Sequence, residues 1–318
     1  MVESLFLNAG IPQAQANSVA KALVKAEIDG QKGHGFSRIP SYLAQVQSGK
    51  VNRAAEIKVT KPQPAVLSID ADFGFAFPAI DAAINLVPEL AAEYGLAAAG
   101  IFNSHHAGQM GAHVERLAEA GFLAIMMANT PKAMAPWGGS DPLFGTNPIA
   151  FAAPRSGSPP LVVDLSLSKV ARGKIMAAAQ NGETIPEGWA LDENGLPTTD
   201  PKSALNGSMV PMGDAKGAAL ALMVEVIAAC LTGANFSYEA SSFFDANGEP
   251  PSVGQFILVI RTDANTSTHF AQRLQELVAE ITRQEGARLP GERRIYSRNE
   301  AFVNGLTFSK ELIQKYFL

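Results

Sequence analysis

The chain has 318 residues, 47% of them hydrophobic and 17% charged, with a net charge of -5. This is enough for one large or two ordinary domains with a substantial core, and far from the composition of a disordered chain. The acidic balance leaves no broad positive field for nucleic acid, and the single cysteine, Cys230, excludes an intrachain disulfide framework and fits a reducing compartment.

Pro12 in a first turn, Val19, Leu23, Val24 and Ile28 at helical spacing, and Gly30 as a stop predict a helix over 13–30. A glycine-rich turn follows at Gly33-His34-Gly35, then a short helix over 39–46. Strands are expected at 57–59 and 65–69, a turn at 71–74 and a long amphipathic helix over 78–94. A buried strand at 97–102, a helix at 111–120 and a strand at 123–129 read as a strand–helix–strand unit. Two short strands follow at 148–152 and 161–165, then helical spacing over 167–180 and a turn-rich stretch over 181–205. The apolar run 218–231 predicts a buried helix, in which Cys230 would be an inert, buried thiol. A strand at 255–260, an amphipathic helix over 268–284, the basic turn Pro290-Gly291-Glu292-Arg293-Arg294 and a helix near 310–316 complete the chain.

Strands alternating with helices place the fold in the α/β or α+β class. With no linker along the chain, any domains are expected to be discontinuous. No window is long and apolar enough for a membrane span, and the first residues lack the basic and apolar regions of a signal peptide. The expected setting is therefore cytoplasmic.

Function concentrates in residues 103–151: Asn103-Ser104-His105-His106-Ala107-Gly108, Met134-Ala135-Pro136-Trp137-Gly138-Gly139, and Leu143-Phe144-Gly145-Thr146-Asn147-Pro148. Such clusters make turns whose backbone N–H groups can face an anion, beside imidazoles that titrate near neutrality. The dinucleotide fingerprint, the P-loop and the nucleophile elbow are absent, and no metal is expected from the histidine spacing.

His34 and Arg38 fit a site for a 2-oxo or 2-imino acid: Arg38 holds the carboxylate and His34 hands over a proton. They equally fit a capped turn with a surface arginine. His105 and His106, as neighbours on a turn, point different ways, one expected on backbone and the other in a cleft. His113 reads as a helix-face residue without a chemical role and His269 as solvated. Thr146 offers a hydroxyl and an N–H to a carboxylate, with Pro148 expected to hold Asn147 extended. Trp137 suits either ring stacking or packing. Lys216 suits a phosphate at a helix start or a pair with Asp214. Arg293, Arg294 and Arg298 form a basic patch that fits a phosphorylated ligand or a solvated tail.

These strings together resemble the malate/L-lactate dehydrogenase family that lacks a Rossmann fold. The resemblance adds Asp164-Leu165-Ser166, Ala171-Arg172-Gly173-Lys174-Ile175, Ile185-Pro186-Glu187-Gly188-Trp189-Ala190 and Pro197-Thr198-Thr199-Asp200-Pro201, and runs essentially end to end. Within the family, Asn103-Ser104-His105-His106 and the segments 142–154, 223–225, 231–233 and 236–239 are most similar to the reductases of Δ1-pyrroline-2-carboxylate and Δ1-piperideine-2-carboxylate.

The resemblance implies reduction by NADPH, with NADH also possible, of a small carboxylate substrate. A cyclic 2-imino acid ranks first and a 2-hydroxyacid reaction of the malate or lactate type second; a non-catalytic anion binder is the rival from another class. It implies His34 as proton donor and Arg38 with Thr146 at the substrate. Cofactor contacts would come from His106, Ala107, Gly108, Gln109, Met110, Asp164, Leu165, Ser166, Lys216, Gly291, Glu292, Arg293, Arg294, Ile295, Tyr296 and Ser297. It also implies a homodimer, a largely antiparallel cofactor-binding sheet domain over 76–260, and a helical domain from 1–75 with 261–318. Gly33 stands where many relatives carry serine, so a Ser–His relay is absent. Arg172-Gly173-Lys174 keeps the dehydrogenase pattern where some imine reductases carry aspartate.

Overall fold

The structure, a computed structural model, describes residues 1–265, 269–308 and 310–316. A seven-stranded sheet runs in the order β1 (Lys58–Gln63), β2 (Val66–Asp70), β3 (Leu96–Ser104), β10 (Val253–Arg261), β4 (Phe122–Ala128), β5 (Ile149–Ala153), β6 (Leu161–Leu165). Only β2 and β3 pair in parallel; every other adjacent pair is antiparallel. The fold is thus mixed α/β with a mostly antiparallel sheet.

The expected strand–helix–strand unit is present as elements but not as a pairing. β10 inserts between β3 and β4, with Ile257 opposite Ala99 on one side and Met126 on the other. An apolar run announces a buried strand without naming its neighbour, because pairing is decided by the assembled sheet.

Helices α4 (Ala76–Tyr94) and α5 (Met110–Glu119) cover one face. Ile80, Ala83, Val87, Val114 and Leu117 pack there against Ile69, Ile101, Met126 and Val259. A second core gathers α1 (Val2–Asn8), α2 (Gln13–Ile28) and α3 (Ile39–Ser48) around Phe6, Leu23, Tyr42, Phe75 and Phe77. Phe308 and Tyr316 pack against this core, and the Phe308 ring stacks on Phe36 at 4.9 Å, so the two chain ends meet. β1 and β2 lie in the sheet, close to the strands expected at 57–59 and 65–69.

The segment expected to be helical from 167 starts only at α6 (Arg172–Asn181). Before it, Leu167 N–H donates to Thr146 O and Lys169 N–H to Val210 O, so these amides bridge segments instead of closing helical turns. The turn-rich stretch holds β7 (Ala190–Leu191), β8 (Pro197–Thr198) and α7 (Pro201–Asn206), and β9 (Ser208–Met209) completes a small sheet. Asp200 caps α7 by accepting from the Lys202 and Ser203 amides.

The helix expected to be buried is α8 (Ala215–Glu225), continued by a π turn at Val226–Cys230. Only one side is buried: Leu222 is 52% and Leu231 66% exposed. Cys230 falls on the open side and is exposed, not buried. An apolar run of this length shows that a helix packs somewhere, not how many of its faces do.

The amphipathic helix expected from Thr268 is α9 (Phe270–Thr282), and residue 268 itself lies outside the described residues. Last come α10 (Glu292–Asn304) and α11 (Lys310–Tyr316). Among the described residues no helix is long and apolar enough to cross a membrane.

Candidate active site

His34 and Arg38 end two successive 3₁₀ turns, Lys32–His34 and Phe36–Arg38. Gly35 joins them, and a Cβ there would lie 2.5 Å from Glu27 Oε2 and 3.2 Å from Glu27 N, so a side chain would push the turns off α2. Arg38 Nε donates to Gly33 O at 2.7 Å, and its guanidinium sits 4.4 Å above the Phe244 ring. Arg38 Nη1 and His34 Nδ1 are buried with no partner among the described residues. A buried guanidinium N–H left unpaired is costly, so a ligand oxygen is its natural complement.

His34, Arg38 and Thr146 all line one cleft of about 1270 Å³. Residues distant in sequence thus face one cleft.

The His34 ring stacks on His106, centroids 5.2 Å apart and planes 22° from parallel. His106 Nδ1 shares a 2.7 Å hydrogen bond with the Tyr42 hydroxyl, whose proton is held more tightly than usual by burial. His105 is buried among Tyr42, Phe75 and Phe243, and neither ring nitrogen has a hydrogen-bond partner among the described residues. The expected division is corrected in part: His106 faces the cleft, but the buried neighbour is not tied to backbone. That tie belongs to His113, whose Nε2 lies 2.9 Å from Ala107 O beneath the cleft turn. His269 lies exposed just before α9.

Burial and then Arg38 push His34 down to about 4. Burial, then Lys50 and Arg38, push His105 down to about 3. His106 is lowered well below its usual range, by burial first and Arg38 next. At neutral pH these imidazoles are uncharged, and the positive charge belongs to Arg38.

The Thr146 loop differs from its expectation. Thr146 N–H donates to Thr130 Oγ1 at 3.0 Å and the two hydroxyls lie 3.3 Å apart, so the Thr146 N–H is taken and its hydroxyl, hydrogen-bonded to Thr130, keeps one further position for a ligand. Asn147 is not extended but adopts φ 37°. Its buried amide donates to Glu225 Oε2 at 2.7 Å and Ala221 O at 3.0 Å, and these bonds override the preference set by Pro148. Glu225 also accepts from the Ser237 hydroxyl at 2.7 Å. A Cβ at Gly145 would overlap the Thr130 carbonyl, so glycine is required for the loop to close.

Of the residues the resemblance assigns to the cofactor, His106, Ala107, Gly108, Gln109, Met110, Asp164, Leu165, Ser166, Gly291, Glu292, Arg293 and Arg294 line the same cleft. Asp164 Oδ2 accepts from Gly111 N–H at 2.7 Å at the start of α5. Ile295, Tyr296 and Ser297 continue along α10 outside the lining, with Tyr296 at 68% exposure. Lys216 is exposed in the first turn of α8, also outside it. Trp137, likewise exposed, lies away from the cleft.

The basic patch is neither a solvated tail nor wholly open to a ligand. Arg294 is buried with Nη2 3.1 Å from Glu115 Oε1, and Arg298 bridges Asp29 and Glu115 at 2.9 Å each. Gln109 donates to the same Asp29 at 3.0 Å. This ion cluster straps α10 to α2 and α5. Arg293 is exposed in the cleft wall, while Glu292 turns back to accept from Leu289 N–H at 3.0 Å.

The sequence reading passed over Phe243, Phe244, Thr130 and Lys132, which also line the cleft. Two adjacent phenylalanines inside the polar run Ser241-Ser242-Phe243-Phe244-Asp245 were the available signal. Of the charged described residues in the lining, the basic ones are Lys32, Arg38, Lys132, Arg172, Arg288, Arg293 and Arg294, and the acidic ones Asp164 and Glu292. A positive cleft in a chain of net charge -5 selects anions. Among the described residues no group of His, Cys, Asp or Glu is arranged to hold a metal.

The fold brings two stacked imidazoles and a guanidinium whose Nη1 has no partner among the described residues together in a cleft whose charged lining residues are mainly basic. Residues 1–316 match the sequence profile of the malate/L-lactate dehydrogenases, and the chain belongs to that family of oxidoreductases. It is 54% identical over 291 residues to a (2R)-3-sulfolactate dehydrogenase (NADP(+)) of Chromohalobacter salexigens, covering 92% of this chain and 87% of that protein. It is 38% identical over 316 residues to a Δ1-pyrroline-2-carboxylate/Δ1-piperideine-2-carboxylate reductase of Pseudomonas syringae pv. tomato, covering 99% and 92%. The solved Δ1-piperideine-2-carboxylate reductase from that organism superposes with a TM-score of 0.94 at 38% identity, over 99% of this chain and 95% of that one.

Proposed function

We propose that this chain is an NADP-linked 2-hydroxyacid dehydrogenase whose substrate carries a second acidic group, as 3-sulfolactate does. The observation that carries this reading is the charge around His34: the imidazole is held neutral beside Arg38, in a cleft whose charged lining residues are mainly basic. A neutral imidazole is a base at pH 7, which oxidation of a hydroxyl requires. A protonated cyclic imine would bring positive charge towards Arg38, whereas a dianionic acid is attracted.

In this reading Arg38 Nη1 takes the carboxylate and the Thr146 hydroxyl helps to orient it. His34 accepts the hydroxyl proton as the C2 hydrogen leaves with its electron pair. Bound NADP supplies the two-electron acceptor; the residues suited to hold it are His106–Met110, Asp164–Ser166 and Gly291–Arg293. The 54% identity to the sulfolactate enzyme supports the order of readings. A cyclic 2-imino acid is the second reading, supported by the near-complete overlap with the piperideine-carboxylate reductase.

We also propose a homodimer. The exposed Leu222, Val226 and Leu231 on α8 and its π turn form an apolar face of the kind a partner copy covers.

The test is a panel followed by NADPH absorbance: 3-sulfolactate, malate and lactate with NADP, and Δ1-piperideine-2-carboxylate with NADPH. The expected result is the highest kcat/KM for 3-sulfolactate. Faster turnover of the cyclic imine would reverse the two readings, and turnover of none would remove both.

A further inference from the structure

Lys50 follows α3, lies outside the cleft lining and is 2% exposed. A buried ammonium is unfavourable unless its protons are used. Lys50 Nζ donates to Ser242 O at 2.7 Å, Asn247 O at 2.7 Å and Asp245 O at 3.2 Å. From α3, the buried Gln45 Nε2 donates to the same Asp245 carbonyl at 2.9 Å. These contacts fix the turn 242–247 from beneath, and Phe243 and Phe244 lie between the anchor points.

Both rings touch the site. Phe243 lies 5.2 Å from the His105 ring and 5.1 Å from His106, and Phe244 lies under the Arg38 guanidinium. Held on one side by Gly33 O and below by Phe244, the guanidinium keeps Nη1 unpaired. Stacking on an aromatic face orients a planar guanidinium without using up its N–H groups.

We infer that Lys50 is a positioning residue for substrate recognition: by pinning the turn 242–247 it holds Phe244 as the platform on which Arg38 is aimed at the substrate carboxylate. The inference rests on the carboxylate role given above to Arg38. Lys50 touches neither substrate nor cofactor in this account, and its effect passes through the turn. A merely structural lysine would loosen every ligand alike; this one acts on the acid.

The experiment measures two dissociation constants on the full chain: NADPH by fluorescence, and oxamate, an unreactive 2-oxo acid mimic, on the NADPH complex. In Lys50→Met and in Phe244→Leu, oxamate should weaken by about tenfold or more while NADPH stays within about twofold. The double variant should be no weaker than the weaker single one, because both changes break the same chain of contacts. Should Lys50→Met melt below the assay temperature, Gln45→Ala, which removes the second anchor, takes its place in the cycle. Unchanged oxamate binding, equal weakening of both ligands, or additive losses would each overturn the inference. A wild-type protein that binds NADPH but not oxamate would instead refute the carboxylate role of Arg38, and the inference with it.

Discussion

His34 and His106 lie face to face, centroids 5.2 Å apart, and in each the charge that most lowers proton affinity is that of Arg38. Acid–base chemistry and carboxylate binding are therefore coupled through one guanidinium. A carboxylate on Arg38 cancels its charge, so proton affinity at His34 rises when the acid binds.

The first prediction follows from that coupling. For oxidation, the acid limb of kcat/KM reports the free enzyme and should fall well below the 6.5 of an ordinary imidazole, towards the value of about 4 set by burial and Arg38. The limb of kcat reports the substrate complex and should lie at higher pH. A pH–rate series on wild type and His34→Gln measures both. Limbs at one pH, or a limb surviving in His34→Gln, would contradict the assignment.

Arg38→Lys should raise KM for the acid by about tenfold or more, because an ammonium lacks the fork that grips a carboxylate and the plane that stacks on Phe244. Its kcat should change less. Steady-state kinetics with a saturating cofactor give the two terms, and a change confined to kcat would count against the clamp.

Neighbouring arginines should behave oppositely. Arg294→Met removes one of the cations on Glu115 and Asp29, with Arg298 remaining on both, and should destabilise by about 1–3 kcal/mol. Arg293→Gln should leave the melting temperature within about 2 °C, since exposed polar changes are usually worth under about 0.5 kcal/mol, and should raise the KM for NADPH. Calorimetry and kinetics on both variants decide this; similar losses of stability would show that the two roles are not separate.

Acid should destabilise the fold before carboxylates titrate. His34 and His105 bind protons at about 4 and about 3 when folded, against 6.5 for an unperturbed imidazole, so the unfolded chain takes up more protons between these limits. This contribution is fully present above about 6.5 and is lost as pH falls through the folded values. Chemical denaturation from pH 7 down to about 5 should show the decline, shallower in His105→Gln. A flat profile across that range would mean the buried imidazoles are already partnered with protons.

Gly145→Ala should cost both stability and turnover, because the added methyl overlaps the Thr130 carbonyl and pushes Thr146 out of its loop. Thermal melting with parallel kinetics would test it, and wild-type values in both would remove the loop from the site.

Much was legible in the chain. Helical periodicity located α2, α4 and α5 to within a few residues. The strings around His34, Thr146 and Asp164 marked the walls of one cleft. Local patterns suffice there because turns, caps and periodic faces are properties of neighbouring residues. The sequence by itself determined which residue types were available for chemistry and the class of element carrying each. Tertiary structure alone decided the rest: β10 between β3 and β4, the open side of α8 that exposes Cys230, Arg294 committed to Glu115, and Asn147 turned by Glu225. Each is a pairing between segments far apart in the chain, and a long-range partner is set by which buried charges and faces find each other once the core has closed, information that no local window contains.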